Sequence, residues 1–152
     1  DQVSFEFGIP EVLMKGNYII IFTYGSICRI VSEAAIQLSQ IGISCEVIDV
    51  RTLLPFDKKG IILESIKKTN RVVFADEDVS GGASAFMMQS VLENQDGYFY
   101  LDSKPITIHS KDHRPAYSTD GDYFSKPNCE LIFDKIYEVF NELNPRAYPT
   151  LK

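Results

Sequence analysis

Three consecutive carboxylates form the densest group of potential ligands or acid–base residues in the sequence, namely Asp76, Glu77 and Asp78. Adjacent carboxylates can bind a hard cation, or one can raise the pKa of its neighbour for proton transfer. They can also lie in a solvated loop in which Asp78 or Ser80 caps the following helix, or form an acidic patch that receives a basic partner. We favour the solvated loop, and we predict neither a metal site nor a catalytic acid–base pair.

The two histidines offer a second possible metal site. His109 and His113 are four residues apart, with Asp112 between them, and on a helix this spacing can hold zinc. Here the spacing crosses from the end of a predicted strand into a loop, and no third ligand follows at motif spacing. A structural or interface role is therefore the better interpretation of both histidines.

A phosphate cradle is the third possibility, at Gly25-Ser26 before the start of a predicted helix. Backbone N–H groups at a helix N-terminus can hold an anion. Only one glycine is present here, and neither the GxGxxG nor the GxxxxGKS/T pattern occurs. Asp49 and Asp76 are predicted at neighbouring strand ends, where they would repel a phosphate. We therefore predict a tight turn and a helix start rather than a nucleotide site.

Two adjacent glycines, Gly81 and Gly82, open another predicted helix and are followed by the small residues 83–85. Two glycines permit a tight turn or a close backbone approach, because neither carries a Cβ. The small residues behind them would let this helix pack closely on a neighbour. Both internal packing and a subunit contact fit this pattern.

The composition excludes several classes of protein. The chain has 152 residues, of which 45% are hydrophobic and 24% charged, as is typical of a globular domain. A net charge of −6 without a basic patch argues against nucleic-acid binding, and no apolar run approaches the roughly 20 residues of a membrane span. Three widely spaced cysteines without a paired framework indicate a reducing, cytoplasmic setting. Two of them, Cys28 and Cys45, are predicted to be small core residues.

The segments that must position these side chains alternate between two periodicities. Short β-branched and aromatic runs without polar alternation predict strands buried on both faces, and apolar residues at three- and four-residue spacing predict helices. The predicted strands cover residues 18–23, 43–48, 71–75 and 105–109, and the predicted helices cover 27–41, 58–68, a stretch from 80 or 81 through 91, and 128–143. This alternation predicts an α/β domain with a mostly parallel sheet.

The ends of the chain and one long connection complete the predicted organisation. Residues 1–16 form a lead-in and an edge strand that turns at Gly16-Asn17. Residues 110–127 form a polar loop that is longer than most connections in compact domains. We expect residues 1–152 to form a single domain. The predicted helix caps are Asp57 and Asn128.

Four segments together resemble a known family. The most specific is residues 46–57, EVIDVRTLLPFD, which is similar to the pattern EVIDLRTLxPxD of the C-terminal domain of transketolase-like thiamine-diphosphate enzymes. Residues 18–25 (YIIIFTYG), residues 65–71 (SIKKTNR) and the acidic pair before Gly81-Gly82 support the resemblance. The greatest similarity is to the β-type part of the decarboxylating component of 2-oxo-acid dehydrogenases, which act on pyruvate or branched-chain substrates.

The resemblance has departures that leave the substrate class open, among them the tail 121–127 (GDYFSKP), which looks like a subgroup feature. The family usually continues GGFGAEI after the two glycines, whereas this chain has Ala83 to Met87, with Phe86 where an acidic residue is common. The family's GxDxPxP turn after the fourth strand appears here as residues 110–117, SKDHRPAY. No role of the missing carboxylate can be carried over to this chain.

The resemblance implies a three-layer α/β/α sandwich with a mostly parallel five-stranded sheet and one antiparallel edge strand. It also implies a non-catalytic domain for subunit assembly and partner docking, because thiamine diphosphate and magnesium are held elsewhere in the parent enzyme. The implied partners are the other domains or subunits of the parent, further copies of the chain, and the dihydrolipoyl acyltransferase core. This domain alone is expected to supply no catalytic, cofactor-binding or metal-binding residue.

The residues expected on or near a partner surface lie in polar loops after strands or at the start of a helix. They are Asp76, Glu77, Asp78, Gly81, Gly82, His113 and Arg114. Two alternatives stay open. The chain could be the same domain of a transketolase or a deoxyxylulose-phosphate synthase, or it could be a stand-alone module that binds a small molecule or nucleotide at the strand ends.

Overall fold

A computed structural model describes residues 8–79, 81–110 and 126–151. Five strands form one mixed sheet in the order β1-β3-β2-β4-β5. The strands are β1 (Glu11–Met14), β2 (Ile19–Thr23), β3 (Cys45–Asp49), β4 (Val72–Val79) and β5 (Ile106–Ser110). β1 is antiparallel to β3, and the other neighbouring pairs are parallel. The predicted sheet, with its one antiparallel edge strand, is confirmed.

Helices cover both faces of this sheet. They are α1 (Cys28–Gln40), α2 (Ile61–Thr69), α3 (Ala83–Met88) and α4 (Cys129–Leu143). A 3-10 turn, Gly25–Ile27, leads into α1, and α3 continues into a π-helical segment, Gln89–Asn94. A further 3-10 turn spans Gly97–Tyr100. Among the described helices, none is long and apolar enough to cross a membrane.

Two separate hydrophobic cores lie on the two faces of the sheet. On one face, α1 and α4 bury residues such as Leu38 and Ile136 against alternate side chains of the strands. On the other face, α2, α3 and the π-helical segment bury residues such as Ile66 and Met87. The central strand β2 is fully buried, as expected for a parallel strand that helices cover on both faces. The fold is therefore the predicted three-layer α/β/α sandwich.

The edge strand β1 pairs with a different strand from the one that a tight turn at Gly16-Asn17 predicts. Such a turn would place β1 beside β2, but β1 pairs with β3. Gly16 lies so close to β3 that a Cβ on it would come within 3 Å of backbone atoms of Cys45 and Glu46. The N–H of Asn17 donates to the hydroxyl of Ser44, at 3.0 Å. The chain bends at residues 17–18, and the partner of the edge strand is set by contacts distant in sequence.

Both predicted helix caps bind backbone N–H groups, but one lies further from its helix than predicted. Asn128 accepts the N–H of Leu131 at 2.9 Å, so it caps α4 as predicted. The carboxylate of Asp57 accepts the N–H groups of Ile61 and Ile62, at 2.9 and 3.2 Å. α2 therefore begins at Ile61 rather than at residue 58, and Asp57 binds its first turn across a bend.

β4 extends beyond its predicted end at Ala75. It continues to Val79, and its pairing with β5 has a bulge between Ala75 and Val79. Across this bulge, β4 advances four positions, from Ala75 to Val79, while β5 advances two, from Ile108 to Ser110. The three acids 76–78 therefore lie in a bulged strand rather than in a free loop. The predicted polar loop 110–127 falls outside the described residues at 111–125, and its first residue belongs to β5.

Candidate functional site at the carboxyl edge of the sheet

Polar side chains meet at the carboxyl ends of β2 and β4, where parallel sheets usually bind ligands. The hydroxyl of Ser26 donates to Glu77 Oε1 at 2.7 Å, and the hydroxyl of Tyr24 donates to Asp78 Oδ2 at 3.4 Å. Both hydroxyls belong to the turn between β2 and α1, and both acids belong to the bulge of β4. These two contacts join the turn to the bulge, and sequence reasoning did not predict either of them.

Asp76 faces inward, unlike the two acids that follow it. Its side chain is 1% exposed, and its carboxylate accepts the N–H groups of Asp78, at 2.6 Å, and of Ser84. Burial raises the pKa of Asp76, and the two backbone N–H groups oppose that shift. Asp76 therefore holds the start of α3, where the sequence predicted Asp78 or Ser80 as the cap. Its burial removes it from the open surface on which it was expected.

Glu77 and Asp78 are exposed, so they form the accessible part of the acidic group. The hydroxyl of Ser110 at the end of β5 donates to the main-chain oxygen of Glu77. This contact fixes the backbone of the bulge from its other side. Glu77 is thus held by Ser26 through its side chain and by Ser110 through its backbone, and its carboxylate is still open to solvent.

The environment of Tyr24 keeps its hydroxyl a hydrogen-bond donor. Burial, followed by the negative charges of Asp78 and Asp76, raises the pKa of Tyr24 above 10.0. The phenol therefore stays protonated at neutral pH, as donation to Asp78 requires. This pattern is typical of a structural contact, because a catalytic tyrosine base would need a lowered pKa.

A second polar group lies at the carboxyl end of β3. Asp49 Oδ1 accepts the N–H of Arg51 at 2.8 Å, and the Arg51 guanidinium contacts the carboxylate of Glu11 on β1. Cys28 is near this group, and burial together with the charge of Asp49 raises the pKa of its thiol to about 11. A thiol with this pKa stays protonated at neutral pH and is a poor nucleophile.

The other predicted site residues have separate positions. Cys45 is buried in the core, as predicted, and burial raises the pKa of its thiol to about 12. Nδ1 of His109 donates to the main-chain oxygen of Ser110 at 2.8 Å, which fits the structural role expected of it. His113 and Arg114 lie outside the described residues. Over the ranges that the structure describes, no three His, Cys, Asp or Glu side chains are placed to hold a metal ion.

The glycine pair before α3 forms the turn that leads into a helix start packed inside the domain. Gly81 has a positive φ of 85°, a conformation that favours glycine, and it turns the chain from β4 into α3. The oxygen of Gly82 accepts the N–H of Phe86 at 3.2 Å. Ala83 and Ser84, directly behind the pair, are buried in the domain. A subunit contact of the two glycines stays a prediction.

The three most exposed large hydrophobic side chains of the described residues lie in loops of the domain. Leu54, in the loop between β3 and α2, is 81% exposed. Phe99 and Tyr98, in the 3-10 turn before β5, are 78% and 67% exposed, and their ring centroids are 6.1 Å apart. Contiguous exposed hydrophobic groups mark interaction surfaces more often than isolated ones do. Sequence periodicity did not single out any of these three residues.

Comparison with known proteins gives concordant results at three levels. A family model described as the transketolase C-terminal domain matches residues 9–124. The chain is 30% identical over 134 residues to the pyruvate dehydrogenase E1 component subunit beta of Rickettsia conorii, covering 88% of this chain and 40% of that protein. It is 38% identical over 116 residues to the acetoin:2,6-dichlorophenolindophenol oxidoreductase subunit beta of Bacillus subtilis, covering 76% of this chain and 33% of that protein.

The solved structures agree with the sequence comparisons on the fold. A split gene transketolase, described as an inactive beta4 tetramer, superposes with a TM-score of 0.76 at 23% identity, over 91% of this chain and 44% of that chain. The chain therefore spans about two-fifths of the length of the proteins that it resembles. Its sheet order, its sequence motifs and the match over residues 9–124 agree, and the chain belongs to the transketolase C-terminal domain family.

Proposed function

We propose that this chain is the non-catalytic C-terminal domain for subunit assembly and partner docking of a thiamine-diphosphate-dependent 2-oxo-acid dehydrogenase decarboxylating component. Two of its relatives are named as the beta subunits of a pyruvate dehydrogenase E1 component and of an acetoin oxidoreductase, and these names support the assignment. The parent enzyme would decarboxylate a 2-oxo acid and pass the acyl group to a lipoyl arm. The cytoplasmic setting, which the unpaired cysteines favour, belongs to the same proposal.

The observation that carries the proposal is the exposure of the loop hydrophobic groups. Leu54, Tyr98 and Phe99 leave most of their surface in water, although burying a side chain of this size contributes about 1.5–3 kcal/mol. Adjacent exposed rings such as those of Tyr98 and Phe99 are typical of the centre of a protein interface, where aromatic residues are enriched. We infer that other subunits or domains of the parent cover these residues.

The residues at the carboxyl edge do not fit the diphosphate of the cofactor. The glycine turn at Gly25, which the sequence offered as a phosphate cradle, is followed by Ser26, whose hydroxyl is bound to Glu77. An anion placed there would face the carboxylates of Glu77 and Asp78, and like charges repel. We therefore propose that thiamine diphosphate and magnesium bind in other parts of the parent enzyme.

The test is the assembly of the complete enzyme that contains this domain. We expect Phe99→Asp to weaken assembly at least tenfold, because a central aromatic anchor contributes roughly 2 kcal/mol or more to an interface. Sedimentation velocity measures the association, and decarboxylation of pyruvate and of 2-oxoisovalerate measures the activity, which should fall with assembly. Chain 1–152 alone should show no decarboxylation.

Ile36→Asp is the matched control for this test. Ile36 is 51% exposed, on α1 rather than in the two loops, so its replacement should leave assembly unchanged. Unchanged assembly of Phe99→Asp, or decarboxylation by chain 1–152 alone, would contradict the proposal. Activity of the complete enzyme on ketose phosphates instead of 2-oxo acids would favour a transketolase, and saturable binding of a nucleotide by chain 1–152 would favour a stand-alone binding module.

We propose further that Glu77 and Asp78 receive a basic docking segment of the acyltransferase core. Both carboxylates are exposed and are oriented by the hydroxyls of Ser26 and Tyr24. We expect Glu77→Gln with Asp78→Asn to slow association several-fold at low salt and to have little effect at high salt, because rim charges act on the encounter rate. Stopped-flow binding to the core measures the rate. The two amides keep the oxygen atoms that accept hydrogen bonds from Ser26 and Tyr24. Glu93→Gln, which neutralises another exposed acid, is the control and should leave the association rate unchanged. Equal association rates of the double variant and the unchanged protein at low salt would exclude this docking surface.

A further inference from the structure

A buried carboxylate on β3 pairs with an accessible ammonium group. The side chain of Glu46 is 3% exposed, and its Oε1 accepts a hydrogen bond from Nζ of Lys68 at 2.6 Å. The N–H of Gly16 is directed at the same oxygen from 3.5 Å. The second oxygen, Oε2, is buried and has no hydrogen-bond partner among the described residues. In the part of the chain that the structure describes, Lys68 is therefore the only cation that pairs with Glu46.

Lys67 offers a natural comparison, because it is the neighbour of Lys68 in the last turn of α2. Both lysine side chains are open to solvent, at 40% and 44%. Nζ of Lys67 is 3.2 Å from Glu64, but that carboxylate is 73% exposed. The ring of Tyr100 lies beside the same ammonium group, with its centroid at 5.3 Å. The two lysines therefore differ chiefly in their carboxylates, which are solvated beside Lys67 and buried beside Lys68.

We propose that Lys68 is an acylation site, at which Nζ attacks an acyl thioester and Glu46 takes up the proton that frees the amine. Activated nucleophiles lie within hydrogen-bond reach of a base that a third group orients, and here the third group is the N–H of Gly16. Burial favours the proton transfer, because two neutral groups cost less to keep away from water than two charged ones do. The exposed pair of Lys67 and Glu64 lacks this advantage, since water stabilises both of its charges.

The reaction needs no oxidant or reductant. One proton passes from Nζ of Lys68 to Glu46 Oε1, and the freed lone pair attacks the carbonyl carbon of the thioester. The C–N bond forms and the C–S bond breaks, so the sulfur leaves as a thiolate and takes a second proton from the nitrogen. The products are N-acyl Lys68, a neutral Glu46 carboxyl group and a free thiol. An ion pair has become two neutral groups, so the charge is balanced.

Acylation would loosen the junction between the lead-in and the sheet. An amide cannot replace the ammonium group, so Glu46 must then keep its proton or stay buried as an unpaired anion, and a buried charge that loses its partner is strongly destabilising. Glu46 belongs to β3 and accepts the N–H of Gly16, just after β1, so the cost falls on the contact between these two strands. The acyl-lipoyl arm of the parent enzyme is itself a thioester and can donate the acyl group. Only this source of the acyl group rests on the proposed function.

Acetylation of the complete protein with acetyl-CoA tests the site. Cleavage after glutamate leaves both lysines in one peptide, residues 65–77, and tandem mass spectrometry assigns the acetyl group to one of them. We expect Lys68 to react about fivefold faster than Lys67 or more, which is a modest share of what a general base contributes. Both rates are measured in the unchanged protein, so this result does not depend on the folding of any variant.

Two amide variants test the base. Glu46→Gln keeps a hydrogen-bond acceptor for Lys68 but cannot take up its proton, so it should slow acetylation of Lys68 about fivefold or more and leave that of Lys67 within about twofold. Glu64→Gln is the matched control and should leave the rate at Lys68 unchanged. Faster acetylation of Lys68 in Glu46→Gln would mean that Glu46 only restrains the ammonium group.

Hydrogen exchange in the complete protein tests the consequence. Lys68→Gln has a neutral amide, as an acylated lysine does, and we expect exchange across residues 11–18 to become roughly threefold faster or more. Lys67→Gln should leave exchange there unchanged, although it removes the same charge from the end of α2. Lys68→Gln with Glu46→Gln should restore the rate to within about twofold, because no charge is then left buried.

Four outcomes would overturn the proposal. They are equal acetylation of the two lysines, undiminished acetylation of Lys68 in Glu46→Gln, exchange in Lys68→Gln no faster than in Lys67→Gln, and no recovery in the double variant. Acetyl-CoA supplies the acyl group throughout, so each of these results leaves the proposed function of the parent enzyme untouched. If Lys68 is acetylated as expected in a complete protein that does not act on 2-oxo acids, the proposed function is wrong and the acylation site stands.

Discussion

Replacing Gly16 by alanine is expected to lower the free energy of unfolding by roughly 3 kcal/mol or more, the upper range for overpacked sites. A Cβ at this position would lie within 3 Å of three backbone atoms, namely the carbonyl carbon and oxygen of Cys45 and the amide nitrogen of Glu46. Backbone atoms of a buried strand cannot move aside as the end of a flexible side chain can. The variant can relieve the clash only by displacing β1 from β3. Urea unfolding of chain 1–152, followed by circular dichroism, measures the change.

Gly42→Ala provides the matched control for this overlap. A Cβ at Gly42 would meet no atom within 4 Å, but its φ is +88°. Alanine there should cost only about 1–2 kcal/mol, the usual strain of a left-handed conformation. If Gly16→Ala were no more destabilising than Gly42→Ala, the close packing of the β1 turn on β3 would be refuted.

Asp76→Ala is expected to lower the free energy of unfolding by about 2–4 kcal/mol, which combines the loss of a charged acceptor with one buried and one partly buried donor left unsatisfied. The Asp76 carboxylate is the acceptor for the N–H groups of Asp78 and Ser84, and Ser84 is 1% exposed. Water cannot easily replace the lost acceptor at such a site. Thermal unfolding of chain 1–152 should show a lower midpoint, and the start of α3 should lose protection from hydrogen exchange.

Asp78→Ala is the control for this variant. Asp78 is exposed, and its side chain accepts one long hydrogen bond, from Tyr24 at 3.4 Å. Its loss should change the free energy of unfolding by no more than about 0.5 kcal/mol, as is usual at the surface. If the two alanine variants were equally stable, Asp76 would not be the residue that holds α3.

The raised pKa of Asp76 gives this site a defined pH dependence. Burial raises the pKa above its ordinary value of 3.8, so the folded domain binds this proton more tightly than the unfolded chain does. The stabilisation that comes from this tighter proton binding by Asp76 is therefore complete below pH 3.8. It declines as the pH rises through the pKa that Asp76 has in the folded state. Asp76→Asn cannot titrate, so its stability should lack this decline.

The buried strands and the helical stripes could be predicted from the sequence because their signals are local. β2, for example, is a run of β-branched and aromatic residues, and it is buried on both faces as predicted. α4 has a capping asparagine and an apolar stripe within one segment, and its predicted bounds agree with the structure to one residue. The antiparallel direction of the edge strand was implied by the family resemblance, because hydrophobic periodicity alone does not identify the strand with which it pairs.

The errors share a physical cause, because each depends on residues far apart in sequence. The extension of β4 passes through three acids, which are poor strand formers, and it is held by Ser26, Tyr24 and Ser110 from other elements. Asp76 binds an N–H group eight residues later, beyond the reach of any local capping pattern. The polar side chains do lie at the strand ends, where local sequence signals placed them, but the contacts that each of them makes could not be predicted.

The sheet separates the two hydrophobic cores, and this division affects how the sequence of the domain can vary. Side chains such as Leu38 and Ile66 belong to different clusters on opposite faces, and distant sites without shared contacts contribute additively to stability. Compensating changes should therefore occur within one face and not between the two. Each face can diverge at its own rate while the strands between them keep their alignment.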